Sequence, residues 1–251
     1  MILHLILGAL LLLIPMGALY YFDKSLLRSF GVAVGRMVVQ VLVLCLMVWA
    51  LVHFDHVWLN LLWLVLLSVV SAAFVFRRVK LPLSRFLLPV AAGLFCGAFP
   101  VGLYLLFVVL PVHNGLGARW FVPMMALLVG HSMIAGIRGL STYHSALKTD
   151  ELQYEFLRGN GTKHLQAVLP FVRRALQAVI APSVANLSMM GLYAMPLLLC
   201  GILFGGQSPI NAFVLTVMLV VGCLASSVIA LMVTLWLADR QLFDKFGKLR
   251  S

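Results

Sequence analysis

The stretch Trp58-Leu-Asn-Leu-Leu-Trp-Leu-Val-Leu-Leu-Ser-Val-Val-Ser-Ala-Ala-Phe-Val-Phe76, followed at once by Arg77-Arg-Val-Lys80, decides the fold. It is an uncharged apolar run closed by a tight basic turn. A helix crosses a bilayer with about 20 mostly apolar residues, and basic residues gather on the cytoplasmic side of membrane proteins. The run therefore predicts a span, and the turn predicts which of its ends lies inside. Six further runs of similar kind, at roughly 2–22, 37–54, 86–110, 120–140, 183–205 and 210–238, give about seven transmembrane helices. Composition agrees: the chain of 251 residues is 63% hydrophobic and 10% charged, with a mean hydropathy of +1.10. A soluble domain carries about a quarter charged residues. The expected fold is an all-α integral membrane protein, a single membrane domain over 1–251 with no internal repeat.

One threading of the chain puts seventeen of its eighteen Lys and Arg on one side, leaving only Arg119 for the other. That predicts an outside amino terminus and a cytoplasmic tail, Asp239 to Ser251. The net charge of +11 then reads as an orientation signal in short loops; it does not indicate nucleic acid. The first run lacks a basic region before it and an A-x-A site after it, so it is expected to stay as a helix and not to be cleaved. Cys45, Cys96, Cys200 and Cys223 all lie in apolar runs with no C-x-x-C pair, which predicts buried small hydrophobes and neither a disulfide framework nor a zinc site. Gly93/Gly97 and Gly201/Gly205 have the G-x-x-x-G spacing that lets helices approach closely.

The inner loops differ in kind. Asp23 to Arg36 sets Leu26, Leu27, Phe30 and Val34 at near-helical spacing, as in a short interfacial helix. The region 141–182 is the sizeable polar one. It contains Asp150-Glu-Leu-Gln-Tyr-Glu155, the turn Gly159-Asn-Gly161, and then an amphipathic stretch. One face of that stretch is Leu165, Val168, Leu169, Val172, Leu176, Val179 and Ile180. Gln166, Arg173 and Gln177 lie opposite, and Pro182 is expected to end it. A helix, a Gly-rich turn and a second helix make a docking shape for a cytosolic partner; the alternative is an amphipathic loop resting on the lipid.

Several residues are candidates for a transport path or a metal. His131 lies mid-span with Arg138 two turns on, and an ionisable group at that depth usually faces a bundle interior or a water path. Asn186 and Ser188 are polar within an apolar run, and either bond between helices or meet cargo. Met190, with Met124, Met125, Met133, Met189 and Met195, is open to two readings, packing or a soft metal path. On the outer face His53, Asp55, His56 and His113 offer the ligand chemistry of Fe(II) or Zn(II); the alternative is a solvated loop. None of the seven acids falls within a predicted span, against a proton-coupled carrier. There is no G-x-x-x-x-G-K-[ST], H-E-x-x-H or G-x-S-x-G, so the chain is not read as an enzyme and is expected to bind no ATP or other cofactor itself.

The stretch Glu155-Phe-Leu-Arg-Gly-Asn-Gly-Thr162 resembles the E-x-L-x-x-G-A-T segment of the iron-export ABC permease family (FetB-like). Ala178-Val-Ile-Ala-Pro182, Gly191-Leu-Tyr-Ala-Met-Pro196, Gly201-Ile-Leu-Phe-Gly-Gly206 and Ser208-Pro209 are similar to its A-x-I-P…G-L-V-S-L-P-G-M-M-x-G…A-G-x-D-P run. Gly35-Arg36 with Gln40 resembles its G-R-x-x-x-Q, and Gly130-His131-Ser-Met133 stands where it has G-N-A-M. The resemblance implies a homodimeric permease in the inner membrane, in contact with lipid, driven by two copies of a separate cytosolic ABC ATPase that uses ATP and Mg. It implies that Glu151, Glu155, Leu157, Gly159, Asn160, Gly161 and Thr162 couple the two, and that iron or another metal ion is exported. The chain departs from the pattern at Pro196-Leu-Leu-Leu199, Asn160-Gly161, His131 and Ser208, which leaves cargo open. A lipid or small amphiphile is the alternative cargo, and a membrane sensor or scaffold without transport is the alternative class.

Overall fold

A computed structural model of the chain describes residues 10–22, 24–79, 83–110, 114–193 and 195–242. Among these the chain is all helix and turn, with no strand. The helices are α1 (Leu13–Phe22), α2 (Lys24–Phe54), α3 (Val57–Val79), α4 (Leu83–Tyr104), α5 (Ala118–Thr149), α6 (Glu151–Gly159), α7 (His164–Tyr193), α8 (Met195–Phe204) and α9 (Pro209–Leu242). A single π-helical turn, Leu105–Val109, carries α4 onward, its last amide closing Leu110 N–H to Leu105 C=O at 2.9 Å. Two compact units result, residues 1–54 and 55–251.

In the first unit the expected interfacial helix and the second span are one 31-residue helix, α2. Nothing between Lys24 and Phe54 stops a helix: there is no proline, and Gly31 and Gly35 are carried within it. Of the first apolar run, Leu13–Phe22 is helical; residues 2–9 and Asp23 lie outside the described residues.

Among the described residues six helical segments are long and apolar enough to span: Leu26–Phe54, Val57–Val79, Phe86–Val109, Ala118–Thr149, His164–Leu187 and Pro209–Gln241. The fifth corrects the sequence reading. The amphipathic stretch 165–180 and the start of the run at 183 form one continuous helix, α7, which passes through Pro170 and Pro182. Pro182 does not end it, and the Ser183 hydroxyl adds a bond to the Val179 carbonyl (2.8 Å) beside the proline. The carbonyl that Pro182 leaves without its helical donor is that of Ala178, one residue before Val179, and membrane helices tolerate such a loss where local adjustment or neighbouring groups take it up. The buried face of α7 is also rotated from the expected one: Ala167, Val168, Phe171, Ala175 and Val179 are buried, whereas Leu165, Leu169 and Ile180 are exposed.

The second unit is centred on the α4–α9 contact. Gly93 and Gly97 lie against Ser226, Ala230 and Thr234 of α9, themselves small residues at four-residue spacing and all buried. A Cβ on Gly97 would stand 2.6 Å from the Ala230 Cβ and 2.6 Å from the Ser226 carbonyl oxygen. On α5, Ser132 shares a buried hydrogen bond with Ser226 (2.9 Å), and Gly139 receives the Leu231 side chain. Met125 fills the space above Gly102, so it serves packing. The other glycine pair behaves differently: Gly201 faces no described neighbour, and Gly205 is approached only by backbone of its own turn. Cys45, Cys96 and Cys200 are exposed and only Cys223 is buried, against expectation. In a membrane domain the outer surface is as apolar as the interior, so an apolar run does not mark the buried side.

Candidate functional site

Helix α5 runs nine residues beyond the expected end of its span, to Thr149, and α6 follows after one residue. The polar region is thus a helix, a turn and a helix, and its part from His164 onward belongs to α7. Gly161, at φ 79°, closes α6. The Thr162 amide donates to the Leu157 carbonyl (3.2 Å) and the Gly161 amide to the Arg158 carbonyl (3.0 Å). This is a Schellman closure, which needs a left-handed residue that glycine supplies at least cost. Arg158 adds a side-chain bond to the Thr162 carbonyl (3.3 Å). Asp150, between α5 and α6, pairs with Arg174 of α7.

Helix α6 has two faces. Tyr154, 2% exposed, and the half-buried Leu157 turn inward against a core built from α3, α4, α5, α7 and α9. Leu152 (82% exposed) and Phe156 (69% exposed) turn outward one turn apart, beside exposed Glu151 and Glu155. Leu157 is therefore an anchor and not part of the outer surface, while Leu152 and Phe156, absent from the sequence-derived set, are its apolar part. Gly159, Asn160 and Gly161 are exposed and Thr162 is half-buried.

Beneath α6 runs a chain of polar groups that no sequence motif announces. The Tyr154 hydroxyl meets His164 Nδ1 at 2.9 Å, and His164 Nε2 meets Asp239 Oδ2 at 2.8 Å. The Tyr143 hydroxyl donates to Asp239 Oδ1 at 3.1 Å. With Nε2–H donated to the carboxylate, Nδ1 is left to accept the Tyr154 proton. Burial holds the Tyr154 phenol above its ordinary range; the Arg158 guanidinium opposes this and the Asp239 charge adds to it, so the hydroxyl remains a donor. Four helices meet in this chain: α5, α6, α7 and α9. It fixes the short helix to the ends of three long ones. The partners lie up to 96 residues apart, which is why spacing along the chain does not expose them.

Of the expected path residues, His131 is half-buried, whereas Arg138 and Asn186 are exposed; the side chains of Ser188 and Met190 lie outside the described residues. Of the expected metal ligands, His53 stacks on Trp49 at 5.7 Å, His56 is exposed, and His113 lies outside the described residues. Asp55 has a different task. Its carboxylate accepts the Ala118 amide at 2.7 Å, at the start of α5, from a backbone position with φ 40°. Asn60, buried in α3, donates to the Leu116 carbonyl (2.9 Å) just before that start. The two bonds seat the first turn of α5, which has no side-chain cap of its own. Among the described residues no three His, Cys, Asp or Glu come together as a metal site. Asp55→Ala is expected to cost about 1 kcal/mol, the usual worth of a lost N-terminal cap. Hydrogen exchange at 118–121 should rise by several-fold; unchanged exchange there would show that the cap is dispensable.

Long apolar helices packed through glycine and serine faces define a multi-pass helical membrane protein. Within that class the chain belongs to the UPF0014 family, "Uncharacterised protein family (UPF0014)", whose profile it matches over residues 2–243. It is 22% identical to the UPF0014 membrane protein YjkA of Bacillus subtilis over 230 residues, 92% of this chain and 90% of that protein. It is 23% identical to the UPF0014 membrane protein slr1647 of Synechocystis over 220 residues, 86% of this chain and 83% of that one. Protein ALUMINUM SENSITIVE 3 of Arabidopsis thaliana is 23% identical over 133 residues, 53% of this chain and 49% of that protein. No solved structure matches.

Proposed function

We propose that this chain is the membrane-spanning subunit of an ABC transporter in the inner membrane, a homodimer working with two copies of a separate ATPase that holds the ATP and Mg. The observation that carries this reading is α6. It is a short rigid helix, anchored through Tyr154 to three long helices, with Leu152 and Phe156 uncovered between Glu151 and Glu155. A partner seated on that face would move α6, and the polar chain beneath would pass the movement to α5, α7 and α9. Exposed apolar side chains ringed by charge are the usual anatomy of a protein-binding surface. The amino terminus would lie outside and α6 in the cytoplasm, as the basic loops require.

For cargo we propose export of iron or another metal ion. The sequence resemblance supports it, as does a relative named for aluminium sensitivity. A second reading, a lipid or small amphiphile, is favoured by a cavity of about 500 Å³ between α3 and α4, lined by Val65, Leu88, Phe95 and other apolar groups. Metal-stimulated against lipid-stimulated ATP hydrolysis in the reconstituted complex separates the two.

The testing experiment is purification of the tagged chain from native membranes. A stoichiometric P-loop ATPase is expected with the parent protein, and at least tenfold less of it with Leu152→Glu/Phe156→Glu at equal membrane abundance. A chain that emerges without any ATPase would sink the transporter reading and turn attention to a sensor or scaffold.

A further inference from the structure

In the first unit, one side of α2 carries Arg28, Ser29, Arg36 and Gln40 around Val32 and Ala33, an open groove of about 460 Å³ along the helix surface. The spacing is 0, 1, 8 and 12 residues, so the four polar groups follow one helix face over three turns or so. Both guanidinium groups are exposed. No Asp or Glu occurs between Lys24 and Phe54, and among the described residues no carboxylate pairs with Arg28 or Arg36. Two cations thus share one groove, with no anion from the described protein to balance them.

Their depth says what would balance them. From Phe54, at the polar turn, back to Arg36 is 18 residues, or about 27 Å of helix at about 1.5 Å per residue. The hydrocarbon layer is about 30 Å thick. With Phe54 at one boundary, Arg36 reaches the other, Gln40 sits about 6 Å inside it, and Arg28 projects about 12 Å into the headgroup layer. The Lys24 ammonium lies over the Tyr20 ring at 5.0 Å, an aromatic–cation pair of the kind found at membrane interfaces. Guanidinium groups at that boundary extend into the headgroup layer, where the surrounding anions are phosphates. A phosphate suits this chemistry: its oxygens accept forked N–H pairs from Arg, and its charge can be shared by two long side chains whose backbone positions are about 12 Å apart along the helix. Ser29, next to Arg28, supplies a neutral hydrogen-bonding group at the headgroup end.

We propose that the Arg28–Arg36 groove is a binding site for a phosphate group, held between the two guanidinium groups with Ser29 beside Arg28. The phosphate is either the headgroup of an anionic phospholipid, with its acyl chains lying along the apolar part of α2, or a soluble phosphate arriving from the water. The site draws on no residue of α6 or of the polar chain, so it stands whether or not an ATPase binds there.

The full-length chain in detergent micelles is offered phosphatidylglycerol and phosphatidylcholine in equal amounts, and retained lipid is counted by native mass spectrometry. In parallel, inorganic phosphate is titrated and followed by phosphorus NMR. Phosphatidylglycerol is expected to be retained about tenfold over phosphatidylcholine, with that preference lost in Arg28→Gln/Arg36→Gln and partly kept in Arg28→Lys/Arg36→Lys, since lysine keeps the charge without the fork. Retention of phosphatidylglycerol without phosphate binding assigns the lipid source. Arginine-dependent binding of inorganic phosphate assigns the soluble one. If neither probe binds, or if both bind equally to the glutamine variant, the proposal is wrong. Helix content and gel-filtration profile check that each variant folds, and the lysine pair decides the matter if the glutamine pair does not.

Discussion

Asp239→Ala is expected to release α6. The carboxylate accepts from Tyr143 on one oxygen and from His164 on the other, and its side chain is only 14% exposed. Hydrogen bonds to a charged group contribute about 1.5–3 kcal/mol each, and a donor left buried without its acceptor costs more than a matched removal of both. Water can replace part of this at the exposed side of His164, so a net local loss of about 2–3 kcal/mol is expected. Local openings govern amide exchange, so protection over residues 151–163 should fall by roughly 30- to 150-fold, while amides at the centre of α9 barely change. The series should be graded. Tyr154→Phe keeps the packing and loses one neutral bond, and His164→Ala cuts the link between α7 and α9. Asp239→Asn keeps one acceptor and should lie between the parent and Asp239→Ala. If Asp239→Ala leaves exchange at 151–163 as it was, the polar chain does not hold α6. In the complex proposed above, the same variant should hydrolyse ATP without moving cargo, because the ATPase would push a helix no longer tied to the spans.

What the sequence makes legible is the medium, and it does so through composition. The run ending at Arg77-Arg78 could only be a span, and α3 and α9 lie where their apolar runs predict. Continuity is harder to read. A helix that passes from headgroups into hydrocarbon changes its side chains without changing its hydrogen bonds. Lys24–Phe54 therefore looks like two elements and is one. The same holds at α7, where Pro182 looks like a stop because proline breaks helices in water. Gly161 is legible for the opposite reason: the left-handed turn it makes is a local demand, met by one residue.

The site divides along the same line. The helix–turn–helix around α6 can be read from the chain, since amphipathic spacing and a Gly-rich turn are local. Which side of α6 is free cannot. Leu157 and Leu152 are both leucines in one short helix, and only the tertiary packing turns the first inward and the second outward. Asp55 shows how residue type misleads. A loop His and Asp cluster has metal-ligand chemistry, yet here the carboxylate is engaged by a backbone amide at the start of α5. Tyr143, His164 and Asp239 carry no local signal, because their relation exists only once four helices have met.

Gly97→Val should be the most disruptive single change in the bundle. A Cβ at Gly97 meets the Ala230 Cβ at 2.6 Å, the Ser226 carbonyl oxygen at 2.6 Å and the Ala230 amide nitrogen at 2.9 Å. Two of these are backbone atoms of a long helix, so no rotamer change can relieve them, and α4 and α9 must move apart. Overpacking a core typically costs about 1–3 kcal/mol; a branched side chain against fixed backbone belongs at the top of that range. Separation would also open the Ser132–Ser226 hydrogen bond and leave two hydroxyls unpaired in an apolar interior. Gly93→Ala should do less. Its nearest obstacle, Thr234 Oγ1, belongs to a side chain that can rotate, although the Ala230 carbonyl at 2.8 Å cannot. Gly201→Ala is the matched control: the same motif, but no described neighbour to meet, so it should be neutral or slightly stabilising through helix propensity. Thermal unfolding in one detergent ranks the three. If Gly97→Val and Gly201→Ala unfold alike, the α4–α9 seam does not set the stability of the bundle. Ala230→Gly added to Gly97→Ala should recover only part of the loss, because it removes one of the three close approaches and leaves both backbone atoms in place.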